Sequence, residues 1–185
     1  MESIYLMEEE PVENLTQTAD APDDDIVVAI AKATAALKNG ANWYYWIAGL
    51  SVVNSAIQFF EGQWSFIVGL GVTQVIDGIS AAVAEEAGGS TAMAIRGVAL
   101  VLDLCVAGLF VLFGWLANHR KGWAFAIGMV LYAADALIFV LVQDWLSIGF
   151  HGFALFGLFG GYAALKKLRE LERSLPGAPI EPIAA

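Results

Sequence analysis

The chain has 185 residues, of which 58% are hydrophobic and 15% are charged, and its mean hydropathy is +0.66. Soluble domains carry about a quarter charged residues, so this composition indicates a membrane protein. The formal net charge of -10 is uneven, because residues 1–31 contain nine acids and no Lys or Arg. No basic patch is available to neutralise phosphates, and this excludes nucleic acid as a partner.

The residues before the first long apolar segment are predicted to lie outside the bilayer. Residues 1–25 are acidic and lack helical periodicity, which predicts a disordered tail. Residues 26–40 follow three aspartates and end at Gly40, with Lys38 in the last turn, and this pattern is typical of a helix. Its apolar positions recur on one face, so we expect a short amphipathic helix on the membrane surface.

Five apolar segments follow, and each is about 20 residues long, the length that crosses a bilayer as a helix. These predicted spans cover residues 43–60, 64–84, 96–117, 123–142 and 145–165. All six tryptophans fall at span ends, as an interfacial aromatic belt requires. Residues 166–185 form a basic, then Pro-containing tail. The sequence therefore predicts an all-α, multi-pass integral membrane bundle of five transmembrane helices, preceded by the surface helix.

The Lys and Arg residues predict the orientation of this bundle. With five alternating spans, six of the nine basic residues fall on the side that holds the C-terminal tail. Cytoplasmic loops carry an excess of Lys and Arg, so we expect a cytoplasmic C-terminus and an N-terminus outside. Lys32 and Lys38 count against this orientation, because they lie close to the start of the first span.

Four ionisable residues lie inside the predicted spans, where charges are costly and usually have a structural or functional reason to be present. They are Asp77, Asp103, Asp135 and His151. Counting along antiparallel helices places each of them about 10–12 Å below the face predicted to be outside. Only Gln143 and Asp144 separate the last two spans, so we expect Asp135 and His151 to contact each other across a helical hairpin.

The charge of this Asp/His layer limits the chemistry that it supports. Apart from Arg96 at a span edge, no Lys or Arg balances the three aspartates, so either protons are retained or a cation is bound. Aspartates with one imidazole suit a divalent metal such as Mn, Fe or Zn, and they also suit a proton relay. The alternative is structural, because buried Asp side chains cap helices and link them.

His151 alone also fits a single axial ligand of haem or chlorophyll. The only other histidine, His119, lies at the opposite face, which excludes a bis-histidine haem within one chain. No GxSxG, HExxH or GxxxxGK[ST] motif is present, so the sequence does not indicate an enzyme. Gly69-Leu70-Gly71 lacks the strand–turn–helix context of a dinucleotide-binding loop.

Two functional hypotheses follow from these observations. The first is a small membrane protein that binds or conducts a cation or proton through the Asp/His layer. The second is a non-catalytic accessory or assembly subunit of a larger membrane complex. Its partner would contact the Gly-rich last span, where Gly157 and Gly161 have GxxxG spacing, or the acidic N-terminal tail.

Overall fold

A computed structural model describes residues 24–60 and 69–175. This part of the chain is all-α, as predicted, and contains five helices and no strand. The helices are α1 (Asp24–Phe59), α2 (Gly71–Ala87), α3 (Gly89–Asn118), α4 (Gly122–Leu141) and α5 (Trp145–Arg173). Most of the predicted acidic tail, Trp64 and the connection around it, and the chain from residue 176 onward lie outside the described residues.

Three of the described helices, α3, α4 and α5, are long and apolar enough to cross a membrane. The prediction of five such spans is therefore corrected to three. Helix α2 has only 17 residues, whereas a span needs about 20. Helix α1 is long, but Ser51, Asn54 and Ser55 interrupt its apolar second half. The structure thus supports a membrane-embedded helical bundle with fewer fully apolar helices than expected.

The outer surface of the bundle is apolar, as a lipid environment requires. Leu141 is 83% exposed and Phe156 is 75% exposed, and many other large apolar side chains also point outward. The interior contains both polar side chains, such as Ser51 and Thr73, and a core of apolar side chains that includes Tyr44 and Phe125. Contiguous exposed apolar surface of this extent marks contact with a membrane or a partner rather than with water.

Helix α1 continues through Gly40, which was expected to end a separate surface helix. The predicted surface helix and the predicted first span form one helix of 36 residues. The reason is packing, because Gly40 contacts Gly161 of α5, and a Cβ atom on Gly161 would lie 2.7 Å from the Gly40 Cα. Paired glycines let two helix backbones approach closely. The apolar face that was assigned to the membrane surface buries Ala33 and Leu37 in the helical core.

Helices α1 and α5 are antiparallel. Gly40 contacts Gly161, and further along α1 the indole of Trp43 contacts the ring of Phe153, with 5.2 Å between ring centroids. The α3–α4 turn lies at the end of the bundle where α1 begins and α5 ends, because Arg120 in this turn pairs with Glu172 of α5 at 2.7 Å. We call this the basic end, and the end with the α2–α3 and α4–α5 turns the opposite end.

Helix α2 begins inside the bundle rather than at its surface. Leu70, the residue before α2, is fully buried, and its backbone N–H donates to the Ser51 hydroxyl at 2.8 Å. Gly71 faces α4, where a Cβ atom would come within 2.8 Å of the Phe139 ring. From this buried start α2 runs to the turn at Gly88, at the opposite end. The bundle therefore combines four long helices with one short helix that starts in its interior.

Candidate functional site

The structure separates the predicted Asp/His layer into two pairs. Asp135 and His151 contact each other, and Asp77 and Asp103 face each other. All four side chains are buried. Within the described residues, no group of three or more His, Cys, Asp or Glu side chains is arranged to hold a metal ion. The predicted binding of a divalent metal by all four residues together stays a prediction, without a common cluster to support it.

The contact between Asp135 and His151 confirms the hairpin prediction. The Asp135 Oδ2 and His151 Nε2 atoms are 3.1 Å apart. The register of α5 is fixed at its first turn, where Asp144 accepts hydrogen bonds from the Ser147 backbone N–H at 3.1 Å and from its hydroxyl at 2.6 Å. These two bonds lower the pKa of Asp144 below its usual range. A charged N-cap at a short turn thus sets where His151 meets α4.

The hydrogen bonds of His151 show that the Asp135–His151 pair retains one proton between its two members. The Nδ1 atom lies 2.8 Å from the Ser147 carbonyl oxygen, which can only accept, so Nδ1 carries a hydrogen. The second nitrogen, Nε2, either donates to an ionised Asp135 or accepts from a protonated one. The pair has no net charge in either state, and this removes most of the cost of burying it.

Aromatic rings enclose the imidazole of His151. Tyr132 stacks on it with 4.4 Å between ring centroids and an interplanar angle of 17°. Phe139 packs against it at 4.9 Å. With both ring nitrogens hydrogen-bonded and the ring enclosed, the geometry favours a structural role for His151 over the ligation of haem or chlorophyll.

Asp135 also caps the buried start of α2. Its Oδ2 accepts from the Gly71 backbone N–H at 2.7 Å, and its Oδ1 accepts from the Val72 N–H at 2.9 Å. The first N–H groups of a helix have no intrahelical acceptor, and the residue at the cap position, Leu70, has no polar side chain to supply one. The carboxyl group of Asp135 on α4 takes that role, and in its ionised state its charge also complements the positive end of the helix dipole.

The glycines before α2 make this capping possible. Gly71 brings the backbone close to α4, because a Cβ atom there would lie 2.8 Å from Phe139 and 3.3 Å from the Asp135 carbonyl oxygen. A Cβ atom on Gly69 would lie 2.7 Å from the Asn54 Nδ2 atom. Gly69-Leu70-Gly71 is therefore a close-packing segment, and its role depends on contacts with α1 and α4 that its own sequence does not reveal.

The Asp77–Asp103 pair differs from the first pair in its hydrogen bonds. The two carboxyl groups, from α2 and α3, lie beside each other and beside the Ser55 hydroxyl of α1. Apart from these contacts with one another, four buried oxygen atoms here have no hydrogen-bond partner within the described chain: Asp77 Oδ2, both carboxyl oxygens of Asp103, and Ser55 Oγ. Asp103 is only 1% exposed. An ionised carboxylate without a partner in such a site costs several kcal/mol, so the pair requires a proton, a cation or water.

A polar cavity of about 270 Å³ adjoins this pair. Asp77 belongs both to the pair and to the cavity wall, so the cavity reaches the pair at Asp77. The described residues that line the cavity are Gln58, Phe59, Asp77, Ser80, Ala81, Arg96 and Leu100. They come from the end of α1, the middle of α2 and the start of α3, and the cavity therefore lies towards the opposite end of the bundle.

Sequence reasoning found both carboxyl groups of this pair but missed Ser55. On the first predicted span, helical spacing places the polar residues Ser51, Asn54 and Gln58 on one face, and Ser55 lies one residue away from Asn54. Ser51 and Ser55 are spaced by one helical turn, which places them on one face of α1. That spacing was the available signal.

Comparison of the chain with protein-family models, curated proteins and solved structures gives no match.

Proposed function

We propose that this protein is a small multi-pass membrane protein that takes up a proton or a hard cation at the Asp77–Asp103 pair. The observation that carries the proposal is the set of buried, unpartnered oxygen atoms of Ser55, Asp77 and Asp103 beside a polar cavity. Buried carboxyl groups in membrane helices are costly, and they persist where they bind ions or protons. The cavity supplies a route for the ligand from the opposite end of the bundle.

The donor atoms limit the class of ligand. Two carboxylates and one hydroxyl form an oxygen-only set, which suits a proton or a hard ion such as Ca²⁺, Mg²⁺ or Mn²⁺. Zinc and iron are less favoured than the sequence suggested, because the imidazole of His151 is already bound to Asp135 and Ser147. We therefore assign ligand binding to the Asp77–Asp103 pair and helix positioning to the Asp135–His151 pair.

We also propose an orientation for the bundle, and the direction of α1 supports it. Every Lys and Arg except Arg96 belongs to a segment at the basic end, and Lys32 and Lys38 join this group because α1 begins there. By the positive-inside rule the basic end faces the cytoplasm. The start of α1 and the end of α5 then share the cytoplasmic side, and this revises the expected N-terminus outside. The cavity beside Asp77 opens towards the non-cytoplasmic side.

Single cysteines test this orientation. In a Cys105→Ala background, Lys32→Cys and Glu86→Cys place a thiol at the basic and the opposite end respectively. We expect a membrane-impermeant maleimide to label Glu86→Cys in intact cells, and to label Lys32→Cys only after the cells are lysed. Labelling of Lys32→Cys in intact cells would contradict the proposed orientation.

Infrared spectroscopy combined with cation titration tests the ligand site. Purified protein in lipid is titrated with Ca²⁺, Mg²⁺ or Mn²⁺ while the carboxyl and carboxylate bands are recorded. We expect either a protonated-carboxyl band at neutral pH or a cation-dependent change in the carboxylate bands, and we expect Asp103→Asn to remove it. Glu86→Gln is the matched control, since it removes an exposed carboxylate at the same end. Spectra that are identical for the wild type and Asp103→Asn would exclude the site.

The accessory-subunit hypothesis receives mixed support. Gly157 and Gly161, which suggested a partner contact, are covered by Trp43 and Gly40 of α1. Gly152, on the same helix, faces open space, because a Cβ atom added there would have no neighbouring heavy atom within 4 Å. A partner subunit on the outer face of α5 or on the acidic tail stays a prediction, and no contact in the described chain favours it over the ligand site.

A further inference from the structure

We propose that a groove between α1 and α5 binds one acyl chain of an anionic phospholipid from the membrane leaflet at the basic end. The groove has a volume of about 360 Å³. The residues that line it are Asn39, Asn42, Trp43, Trp46, Leu50, Phe150 and Phe153. This site is separate from the Asp77–Asp103 pair, and the proposal does not depend on ligand binding there.

The walls of the groove are aromatic and open to the surroundings. Trp46 is 65% exposed and Phe153 is 58% exposed, so both rings present apolar surface outside the helical core. Trp43 leans towards α5, because Gly157 has no side chain in its way and a Cβ atom there would collide with the indole. The edge-to-face contact of Trp43 with Phe153 holds the two walls together.

The length and depth of the groove fit within one leaflet. Its apolar part, from Trp43 to Leu50, is about 10 Å long along α1, less than half of a hydrocarbon core that is about 30 Å thick. The amide side chains lie only at the basic end of the groove, and the rest of the lining is apolar. Tyr44 contacts Gly114 of α3 and the Phe125 carbonyl of α4, so this part of α1 lies level with the exposed Trp115 and Trp123. Exposed tryptophans mark the boundary between hydrocarbon and headgroups, which places Asn39 and Asn42 at the headgroups.

Charge at the mouth of the groove selects the headgroup. Lys38 is exposed and lies one helical turn before Asn42, on the same face of α1. The acidic residues of α1 and α5 at the basic end, Asp24, Asp25, Glu170 and Glu172, lie further along the chain from the groove than Lys38 does. Basic residues beside a groove between membrane helices attract anionic headgroups. The occupant is therefore a phospholipid with a net negative headgroup, such as phosphatidylglycerol, rather than a zwitterionic lipid.

Native mass spectrometry of the full chain tests this proposal. The protein is released from nanodiscs that contain equal amounts of phosphatidylglycerol and phosphatidylcholine, and the retained lipids are counted. We expect one retained lipid, with about a tenfold preference for phosphatidylglycerol. Lys38→Gln should lower this preference about fivefold. Lys121→Gln removes an exposed charge at the same end, away from the groove, and should leave the preference unchanged.

A second variant pair tests where the acyl chain binds. Phe153→Ala removes one wall of the groove and should lower retention of both lipids by a similar factor. Phe156→Ala removes an exposed ring of α5 that does not line the groove, and it should not change retention. Equal effects of Lys38→Gln and Lys121→Gln, or equal effects of Phe153→Ala and Phe156→Ala, would overturn the proposal. Because Lys38 is exposed, its variant keeps the test valid even where Phe153→Ala fails to fold.

Discussion

The cap that Asp135 provides for α2 leads to a measurable prediction. Asp135→Ala removes the acceptor of two backbone N–H groups, at Gly71 and Val72, and the partner of His151. A helix cap is worth about 1 kcal/mol, and removal of one partner of a buried hydrogen-bonded pair costs about 1–3 kcal/mol when the pair is neutral and about 3–5 kcal/mol when it is ionised. Because both effects act on the same buried side chain, we expect the free energy of unfolding to fall by about 2–5 kcal/mol.

The assay is unfolding in mild detergent together with hydrogen–deuterium exchange. The amides of Gly71 and Val72 should exchange faster in Asp135→Ala, whereas the second half of α3 should keep its protection. Asp135→Asn separates charge from shape, since the amide keeps one acceptor and places a donor where the second carboxylate oxygen was. We expect the stability and the amide exchange of Asp135→Asn to lie between those of the wild type and those of Asp135→Ala. A loss below about 1 kcal/mol in Asp135→Ala, with unchanged exchange at the start of α2, would refute the capping role.

Two further predictions concern packing and pH. Gly161→Val should destabilise the bundle by about 1–3 kcal/mol through overpacking, because its side chain would meet Gly40, whereas Gly160→Ala faces open space and should have little effect in the same unfolding assay. The lowered pKa of Asp144 means that its contribution to stability is present above the ordinary Asp pKa, about 3.9, and is lost as the pH falls through the folded value. Asp144→Asn should therefore be less stable than the wild type at pH 7, and this difference should disappear in acid; a difference that is independent of pH would contradict this assignment.

The sequence was sufficient to predict contacts and burial wherever local features control the geometry. The contact between Asp135 and His151 follows from a two-residue turn, since so short a connection leaves little freedom in the register of a helical hairpin. The polar residues of α2 recur at helical spacing, which favours an inward-facing stripe; Thr73 and Asp77 are buried, and the other polar residues of the stripe are half-buried. In both cases helical periodicity and the cost of polar groups in lipid fix the answer, and neither requires knowledge of a distant contact.

The sequence did not predict where a helix begins or ends when a contact with a residue distant in the chain determines that position. Gly40 has the local pattern of a helix end, but Gly161 packs against it, and the helix continues because close backbone contact favours that conformation. The apolar segment that contains α2 is long enough for a span, yet the helix starts only at Gly71. The start is fixed by the carboxylate of Asp135, from a helix 64 residues further along the chain. Each case depends on a partner that periodicity and composition do not identify.

The two pairs show why a buried carboxylate in a membrane helix is not by itself evidence of a ligand site. In the Asp135–His151 pair, the Asp135 carboxylate accepts from two backbone N–H groups and contacts the imidazole, so it requires no external ligand. The Asp77–Asp103 pair has buried oxygens without a partner in the described chain. Helix α2 connects the pairs, because Asp135 holds its first turn and Asp77 follows in its second. On the proposed function, the effects of substitution must therefore be unequal. Asp135→Ala should weaken ligand binding by shifting α2, whereas Asp103→Asn should abolish binding and leave exchange at the start of α2 unchanged.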